Sequence, residues 1–308
     1  MALGSTRLDR VAAVARMVAA HLPQARVDSV VQLGQGTDHL AYEVDGELIV
    51  RCSKQRDATA RAAHIDREAR LLAAVAAISP LPVPEPSFTV PEQGCLAYRK
   101  LPGVPLLDLP QPQRIQHGPP VAATLGQLLT ALHAAPVQDL TGLVELDDQP
   151  LARWRAEAAE TYAAVAGEVP PGYGPRVEAF LDAPPPAEGW TPVFSHNDLG
   201  IEHVLVDPGT WAVTGVIDWS DAAIVDPASD FGLLYRDLGL LYRDLGPAAL
   251  HAALGSYRTG TNDPMTLGER AAFYARCMLF EDLAYGLQTS DDRYVDKSHA
   301  AMTWLFPA

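Results

Sequence analysis

The stretch Val193–Asp221 constrains the fold of this chain more than any other part of the sequence. Two apolar runs, at residues 204–206 and 213–217, lie on either side of the turn Asp207–Pro208–Gly209, and this pattern predicts a short β-hairpin. Polar side chains that can bind protons or a cation occur where the strands begin and end: Asp198, His203 and Asp218. Because these strand ends share one edge of the hairpin, we expect the three side chains to lie close together. Such an arrangement is typical of a site and not of a core.

The spacing of these side chains matches a pattern used for phosphoryl transfer. That reaction needs a carboxylate beside the acceptor hydroxyl and two ligands that hold Mg²⁺ against the nucleotide phosphates. Kinases supply them as a catalytic-loop Asp, a metal ligand five residues later, and a second Asp past the next hairpin. In this chain Asp198 is followed by His203 and, after the hairpin, by Asp218. The spacing therefore predicts a catalytic carboxylate at Asp198 and Mg²⁺ ligands at His203 and Asp218.

Three motifs around the hairpin carry a resemblance to a known family: His196–Asn197–Asp198–Leu199, Ile217–Asp218–Trp219 and Asp226–Pro227–Ala228–Ser229–Asp230. The chain resembles the aminoglycoside and macrolide phosphotransferase family, whose members are antibiotic kinases related to the protein kinases. Most of that clan has Asn where this chain has His203, although some antibiotic-kinase subfamilies also carry His. Mg²⁺ prefers oxygen ligands, so a direct bond to the His203 nitrogen would be unusual. Direct binding and binding through a water or a phosphate therefore both stay open.

A second Asp in this region resembles a metal ligand by sequence alone. Asp230–Phe231–Gly232 looks like the protein-kinase metal motif, but it lies 32 residues past Asp198 and at the start of a predicted helix. Asp218 is therefore the better candidate.

The N-terminal sequence predicts strands on both sides of a glycine-containing loop. Glycines let backbone amides approach phosphates closely, and the resemblance implies a nucleotide-binding role for three loop residues, Gly34, Gly36 and Thr37. The next predicted strand ends in Arg51. Kinases place a cation at this position to hold the phosphates and to pair with a Glu on the following helix, here Glu68. Lys54 is the alternative cation.

The resemblance implies a bilobal, protein-kinase-like α+β fold. Residues 1–100 would form an N-terminal nucleotide-binding lobe with an antiparallel sheet and one key helix. Residues 101–308 would form a larger, mostly helical C-terminal lobe with the catalytic loop, the metal site and the acceptor pocket. The segment between them resembles the family's crossover, where backbone groups around Ala97, Tyr98 and Lys100 would hold the nucleotide base. Apolar periodicity predicts helices at 5–22, 56–77, 150–166, 175–182, 247–258, 266–287 and 292–305.

Charge is distributed unevenly along the sequence. The net charge is −15, with +1 in residues 1–100 and −16 in residues 101–308. Such a potential attracts cations and repels nucleic acid, so we expect a small cationic acceptor and no nucleic-acid partner. Glu281 and Asp282, adjacent on a predicted helix, are candidate acceptor contacts. An acidic surface that is merely solvated explains the same charge balance.

The cysteines and the apolar runs bear on the cellular compartment. Cys52, Cys95 and Cys277 are odd in number and lie far apart, so we expect neither a disulfide framework nor a zinc site. This usage is typical of a reducing cytoplasm. We expect neither a signal peptide nor a membrane-spanning run, and hence a cytoplasmic protein without membrane contact. We also expect a monomer.

The resemblance implies a small-molecule O-phosphotransferase. It would move the γ-phosphate of ATP or GTP, with Mg²⁺, to a hydroxyl of an antibiotic, first of all an aminoglycoside, and so confer resistance. A macrolide is the alternative acceptor. A nucleotide-binding pseudokinase or regulatory module is an alternative of another class, against which the intact Asp198 and Asp218 argue.

Overall fold

The computed structural model of the chain describes residues 7–24, 26–35, 39–238, 248–257 and 264–307. The chain divides into two compact units, one of Met1–Ile78 with Pro82–Pro102 and one of Ser79–Leu81 with Gly103–Ala308. The first unit carries an antiparallel sheet, and the second is mostly helical. The α+β fold class expected from the sequence is confirmed.

Five antiparallel strands form the sheet of the first unit, in the order β1-β2-β3-β5-β4. They are β1 (Val30–Gln35), β2 (His39–Val44), β3 (Leu48–Ser53), β4 (Pro86–Val90) and β5 (Cys95–Arg99). Helix α1 (Arg7–His21) precedes the sheet, and helix α2 (Ala58–Ile78) connects β3 to β4. The β2–β3 turn has left-handed backbone at Asp45 and Gly46, with φ of 52° and 73°, which these residue types tolerate best.

The core of this unit contains Val14, Met17 and Val18 of α1, packed in one buried cluster with Tyr42 and Val50 of the sheet. One face of the helix is apolar because these positions recur at helical spacing. The face of α1 that carries these three residues therefore covers the sheet.

A disulfide joins Cys52 of β3 to Cys95 of β5, so the expectation that the cysteines form no disulfide is wrong. The two residues lie directly opposite each other in the antiparallel ladder, and their Cα atoms are 4.3 Å apart. They form a non-hydrogen-bonded pair, the closer of the two antiparallel pairings, because the flanking Ser53 amide donates to Gly94 O. The two cysteines are 43 residues apart in the sequence, so their pairing across the strands could not be predicted from local patterns. The disulfide also removes the cysteine-based argument for a reducing compartment, while Cys277 is free and buried.

The second unit contains seven described helices: α3 (Gln111–Ala134), α4 (Leu151–Val165), α5 (Gly174–Asp182), α6 (Ala228–Leu238), α7 (Ala248–Ser256), α8 (Pro264–Thr289) and α9 (Asp292–Leu305). Two small sheets accompany them. Their strands are β6 (Val104–Pro105), β7 (Glu145–Leu146), β8 (Val193–Ser195), β9 (Val204–Val206), β10 (Val213–Val216) and β11 (Ala223–Val225), in the orders β10-β9-β6 and β7-β11-β8. The β9–β10 hairpin is the one predicted from the two apolar runs.

Helix α8 packs against α4, α6 and α9 and forms the centre of the helical core. Gly232 of α6 permits a close approach to α8, because a Cβ at that position would lie 2.8 Å from the Cβ of Tyr274. Gly232 opens the first copy of a repeated GLLYRDL sequence, and that copy lies in α6 with every residue buried. The second copy, at 239–245, lies outside the described residues. None of the helices in the described ranges is both long enough and apolar enough to cross a membrane.

Candidate active site

The loop between β8 and β9 carries His196 and Asp198, and the buried ring of His196 fixes its first half. The Nε2–H of His196 donates to the carbonyl of Ile217 at 3.0 Å, and Nδ1 accepts the backbone N–H of Asp198 at 3.3 Å. Burial lowers the pKa of His196 to about 3, so the ring is neutral, as this donor and acceptor pair requires. The imidazole therefore links Asp198 to the residue that precedes Asp218.

Asp230, the decoy metal residue of the sequence, holds the same loop from the N-terminus of α6. Its carboxylate accepts the backbone N–H groups of His196 at 2.9 Å and of Asn197 at 2.8 Å. Asn197 has a left-handed φ of 64°, and the Ser229 hydroxyl donates to its side-chain oxygen at 3.0 Å. Burial raises the pKa of Asp230 to about 7, against the effect of the backbone amides of His196, Asn197 and Leu199. Both carboxylate oxygens of Asp230 are engaged in positioning the loop.

Asp198, His203 and Asp218 converge as the hairpin pattern predicts. Nδ1 of His203 lies 3.4 Å from Oδ2 of Asp198, and Nε2 of His203 lies 3.9 Å from Oδ2 of Asp218. His203 also donates its Nδ1–H to the backbone carbonyl of Asp198 at 2.8 Å. That hydrogen bond leaves the lone pair of Nε2 facing Asp218.

The donor set suits a divalent cation. A metal at about 2.0–2.2 Å from each ligand can span the 3.9 Å between Nε2 of His203 and Oδ2 of Asp218. The other carboxylate oxygen of Asp218 accepts the Ser220 hydroxyl at 2.7 Å, which fixes the orientation of the group. These residues therefore fit the metal that a kinase-like site requires, with one hard oxygen ligand and one imidazole.

The surroundings of the site raise the pKa of both Asp198 and His203. Burial raises the pKa of Asp198 to about 6, and the neighbouring His203 only partly opposes that rise. Burial acts to lower the pKa of His203, but the carboxylates of Asp198, Glu202 and Asp218 outweigh it and the pKa is raised. The field that attracts a proton to this imidazole also attracts a metal cation.

A buried ionic network that contacts the loop was not predicted from the sequence. The backbone N–H of Ile201 donates to Oδ2 of Asp237 at 3.1 Å. Nζ of Lys297 lies 3.0 Å from Glu202 and 3.5 Å from Asp237. The network ties the second half of the loop to α6 and α9. Lys297 lies 60 residues from Asp237 and 95 from Glu202 along the chain, and the one local signal was the adjacent charged pair Arg236–Asp237 beside the apolar run of the same helix.

The two predicted acceptor contacts occupy different environments. Asp282 is buried, 2.9 Å from Nζ of Lys297 and 3.6 Å from Nη1 of Arg236, so its carboxylate belongs to the ionic network. Glu281 is exposed on α8.

The predicted nucleotide contacts in the first unit are only partly described. Nη1 of Arg51 lies 3.0 Å from Oε1 of Glu68, and both side chains are buried. Gly34 lies in β1, whereas Gly36 and Thr37 lie outside the described residues. Ala97 and Tyr98 are buried in β5 between β3 and β4. Lys100 follows the strand, where its amide donates to Glu47 O at 2.8 Å and its side chain pairs with Glu43.

Comparisons with known proteins identify the family to which the sequence is similar. Residues 29–268 match the model of the phosphotransferase enzyme family. An aminoglycoside 3'-phosphotransferase of Streptomyces fradiae is 34% identical over 146 residues, which are 46% of this chain and 52% of that protein. The chain spans about half the length of the curated relatives it matches.

Solved structures share the fold over almost the full length. The GDP complex of aminoglycoside 2'-phosphotransferase-IIIa has a TM-score of 0.68 at 20% identity, covering 96% of this chain and 98% of that one. A macrolide 2'-phosphotransferase from Brachybacterium faecium has a TM-score of 0.64 at 24% identity, covering 97% and 99%. At such identities the likeness concerns the fold alone.

Proposed function

This chain belongs to the phosphotransferase enzyme family, and we propose that it moves the γ-phosphoryl group of a nucleoside triphosphate to a hydroxyl of an antibiotic, first of all an aminoglycoside. One observation carries the proposal: Asp198, His203 and Asp218 converge on a loop whose amides are held by the buried Asp230. A bond forms between the acceptor oxygen and the γ-phosphorus, and the bond to the β-phosphate oxygen breaks. The nucleoside diphosphate leaves, and the hydroxyl proton passes to Asp198.

The residues of the site would orient the acceptor, hold the loop in place and bind the metal. Asp198 orients the acceptor hydroxyl and accepts its proton, for which a carboxylate of raised pKa is well suited. Asp230 and His196 keep that carboxylate in place through the loop backbone. His203 and Asp218 would hold Mg²⁺, which neutralises charge on the nucleotide phosphates when bound.

The nucleotide would bind the first unit through the loop after β1 and the Arg51–Glu68 pair. A buried guanidinium held by a carboxylate presents a fixed cation, which is what phosphate oxygens need. The GDP found in a solved relative of the same fold supports a nucleotide co-substrate, and ATP and GTP both stay open. A division into a nucleotide lobe at 1–100 and an acceptor lobe at 101–308 is part of the proposal, as are a cytoplasmic location and a monomeric state.

The acceptor proposal rests on charge and on the aminoglycoside enzyme of Streptomyces fradiae. Residues 101–308 carry a net charge of −16, which favours a polycation over a macrolide. Exposed Glu281 is the candidate contact that remains open to an acceptor, because Asp282 is paired within the ionic network. The solved macrolide enzyme keeps a macrolide as the second candidate.

The direct test is a panel of aminoglycosides and macrolides, each incubated with the protein, Mg²⁺ and either ATP or GTP. A phosphate-sized mass gain on an aminoglycoside, absent with the Asp198→Asn variant, is the expected result. A gain on macrolides alone would replace the acceptor class. Nucleotide binding with no transfer to any acceptor would favour the pseudokinase alternative.

A further inference from the structure

Two histidines and a glutamate meet in the first unit, where no role has been assigned to the histidines. His39 begins β2, while His64 and Glu68 lie one turn apart on the same face of α2. Nε2 of His39 lies 3.2 Å from Nε2 of His64 and 3.6 Å from Oε2 of Glu68. Nε2 of His64 lies 3.7 Å from the same carboxylate oxygen. Three potential ligand atoms thus form a compact triangle.

The surroundings of Glu68 are the evidence that the triangle binds a ligand. Its side chain is 94% buried, given a relative exposure of 6%. Neither of its carboxylate oxygens accepts a hydrogen bond from the described part of the chain, although Oε1 faces Nη1 of Arg51 at 3.0 Å. Burying a carboxylate oxygen without a hydrogen-bond donor is costly. Oε2 is therefore aimed into the triangle without a donor close enough to satisfy it.

We propose that His39, His64 and Glu68 bind a divalent transition-metal cation of the Zn²⁺ type. A point equidistant from the three ligand atoms lies about 2.0 Å from each, which is the usual length of Zn–N and Zn–O bonds. Binding therefore needs little movement of the three side chains. Two imidazole nitrogens and one carboxylate suit Zn²⁺ and its neighbours in the first transition row, whereas Mg²⁺ prefers an all-oxygen set.

One of the three side chains is partly exposed to solvent. The side chain of His64 is 31% exposed, while those of His39 and Glu68 are below 10%. The His64 side of the triangle therefore lies nearest to solvent. Three protein ligands with water in the fourth position form a common tetrahedral arrangement for Zn²⁺.

Arg51 links this site to the proposed nucleotide contact. Its Nη2 lies 3.3 Å from Nδ1 of His39, and its Nη1 lies against Oε1 of Glu68. A His39 that binds metal through Nε2 carries its proton on Nδ1 and can no longer accept from a guanidinium. Metal binding therefore displaces one end of Arg51. Because Arg51 is the cation that would hold the nucleotide phosphates, the metal should weaken nucleotide binding. This consequence rests on the proposed function.

The test of the site itself measures metal binding and not activity. Co²⁺ absorption spectra and Zn²⁺ calorimetry are recorded on the full chain in a His203→Asn background, which weakens the other candidate metal site. His64→Ala removes the ligand that is partly exposed. His117→Ala is the matched control, because His117 stacks on Trp211 elsewhere in the chain. Circular dichroism and thermal unfolding of each variant exclude misfolding as the cause of lost binding.

We expect the His203→Asn protein to bind one equivalent of Co²⁺ or Zn²⁺ in tetrahedral geometry. The same protein with His117→Ala should bind it equally well. His64→Ala weakens the affinity more than about tenfold, the least that loss of a supporting residue costs at a metal site. An unchanged affinity and spectrum in His64→Ala, or no binding in any of the proteins, would overturn the proposal.

The link to Arg51 has its own measurement. The affinity for a fluorescent nucleotide is compared with and without buffered Zn²⁺ in the His203→Asn protein and in the same protein with His64→Ala. Zn²⁺ should weaken nucleotide binding in the first protein and not in the second. Equal weakening in both proteins would contradict the link. Failure of every protein to bind nucleotide would contradict the proposed function, while the metal-binding result would stand.

Discussion

At the scale of single residues, the position of Asp198 depends on buried neighbours that take no part in the chemistry. Asp230 accepts two loop amides, and neutral His196 bridges Asp198 N and Ile217 O. A catalytic carboxylate that is displaced by about 1 Å can lose two orders of magnitude in rate. We therefore expect substitution of the residues that hold the loop to lower turnover as well.

Asp230→Asn should lower both stability and turnover. An amide offers one acceptor oxygen where the carboxylate offers two, so one loop amide loses its partner and faces an NH₂ group. The expected loss of unfolding free energy is about 1–3 kcal/mol, with a lower kcat at unchanged fold. Denaturant unfolding and steady-state kinetics measure both, and Asp182→Asn, at an exposed position, is the control. Full stability and turnover in Asp230→Asn would show that the loop holds its shape by other means.

His133 gives the chain a defined acid sensitivity. It is buried between the Tyr257 hydroxyl, 2.8 Å from Nδ1, and the Ser195 hydroxyl, 3.1 Å from Nε2. Burial lowers its pKa to about 3, below the ordinary value of 6.5. Between these values the unfolded state binds more protons than the native state. The stability that neutral His133 contributes is thus present above pH 6.5 and is lost as the pH falls, by about 1.4 kcal/mol per pH unit.

His133→Gln should remove this part of the pH dependence. Between pH 7 and pH 5 the parent should lose about 2 kcal/mol more unfolding free energy than the variant. Urea unfolding at the two pH values measures the difference, whatever the variant costs at pH 7. Parallel losses in both proteins would mean that His133 is not held neutral.

At the scale of secondary-structure elements, α9 connects the β8–β9 loop to the helical core through Lys297. The ammonium group is buried among Glu202, Asp237 and Asp282. Removal of one partner from a buried ionic cluster leaves uncompensated charge in a medium of low dielectric. The helix therefore carries one residue whose loss should affect both the loop and the core.

Lys297→Met should destabilise the protein by about 3–5 kcal/mol. Arg293→Met on the same helix is a matched control, because Arg293 is largely exposed and its pairs with Asp108 and Asp291 should contribute at most about 1 kcal/mol. Denaturant unfolding of both variants measures the contrast. Equal losses in the two variants would contradict the assignment of Lys297 to a buried network.

Elements with strong local patterns could be predicted from the sequence, and tertiary pairings could not. Helix α2 was expected at 56–77 and lies at Ala58–Ile78, because apolar periodicity and flanking breakers are local signals. The convergence of Asp198 and Asp218 was predictable because a hairpin forces it. The Cys52–Cys95 disulfide and the Asp237–Lys297 pair depend on strand register and helix packing between distant segments, which no local pattern encodes.

At the scale of the whole molecule, the acidic balance of residues 101–308 predicts how the protein meets its acceptor. A net charge of −16 attracts a polycation over distances longer than a hydrogen bond. Salt screens such attraction beyond about 8–10 Å at physiological ionic strength. The Michaelis constant for an aminoglycoside should therefore rise with salt, while that for the nucleotide changes less. A constant that is indifferent to salt would favour an apolar macrolide site.

The replacement of Asp198 by Asn tests the central claim most directly, because it removes the proposed base and keeps the size of the side chain. Nucleotide affinity and turnover are measured together on the variant and the parent. Since Asp218, His203 and Arg51 are untouched, nucleotide affinity should stay nearly the same while turnover falls by roughly 10²–10⁴-fold. Turnover that survives at the level of the parent would contradict the assignment of Asp198 as the residue that accepts the proton of the acceptor hydroxyl.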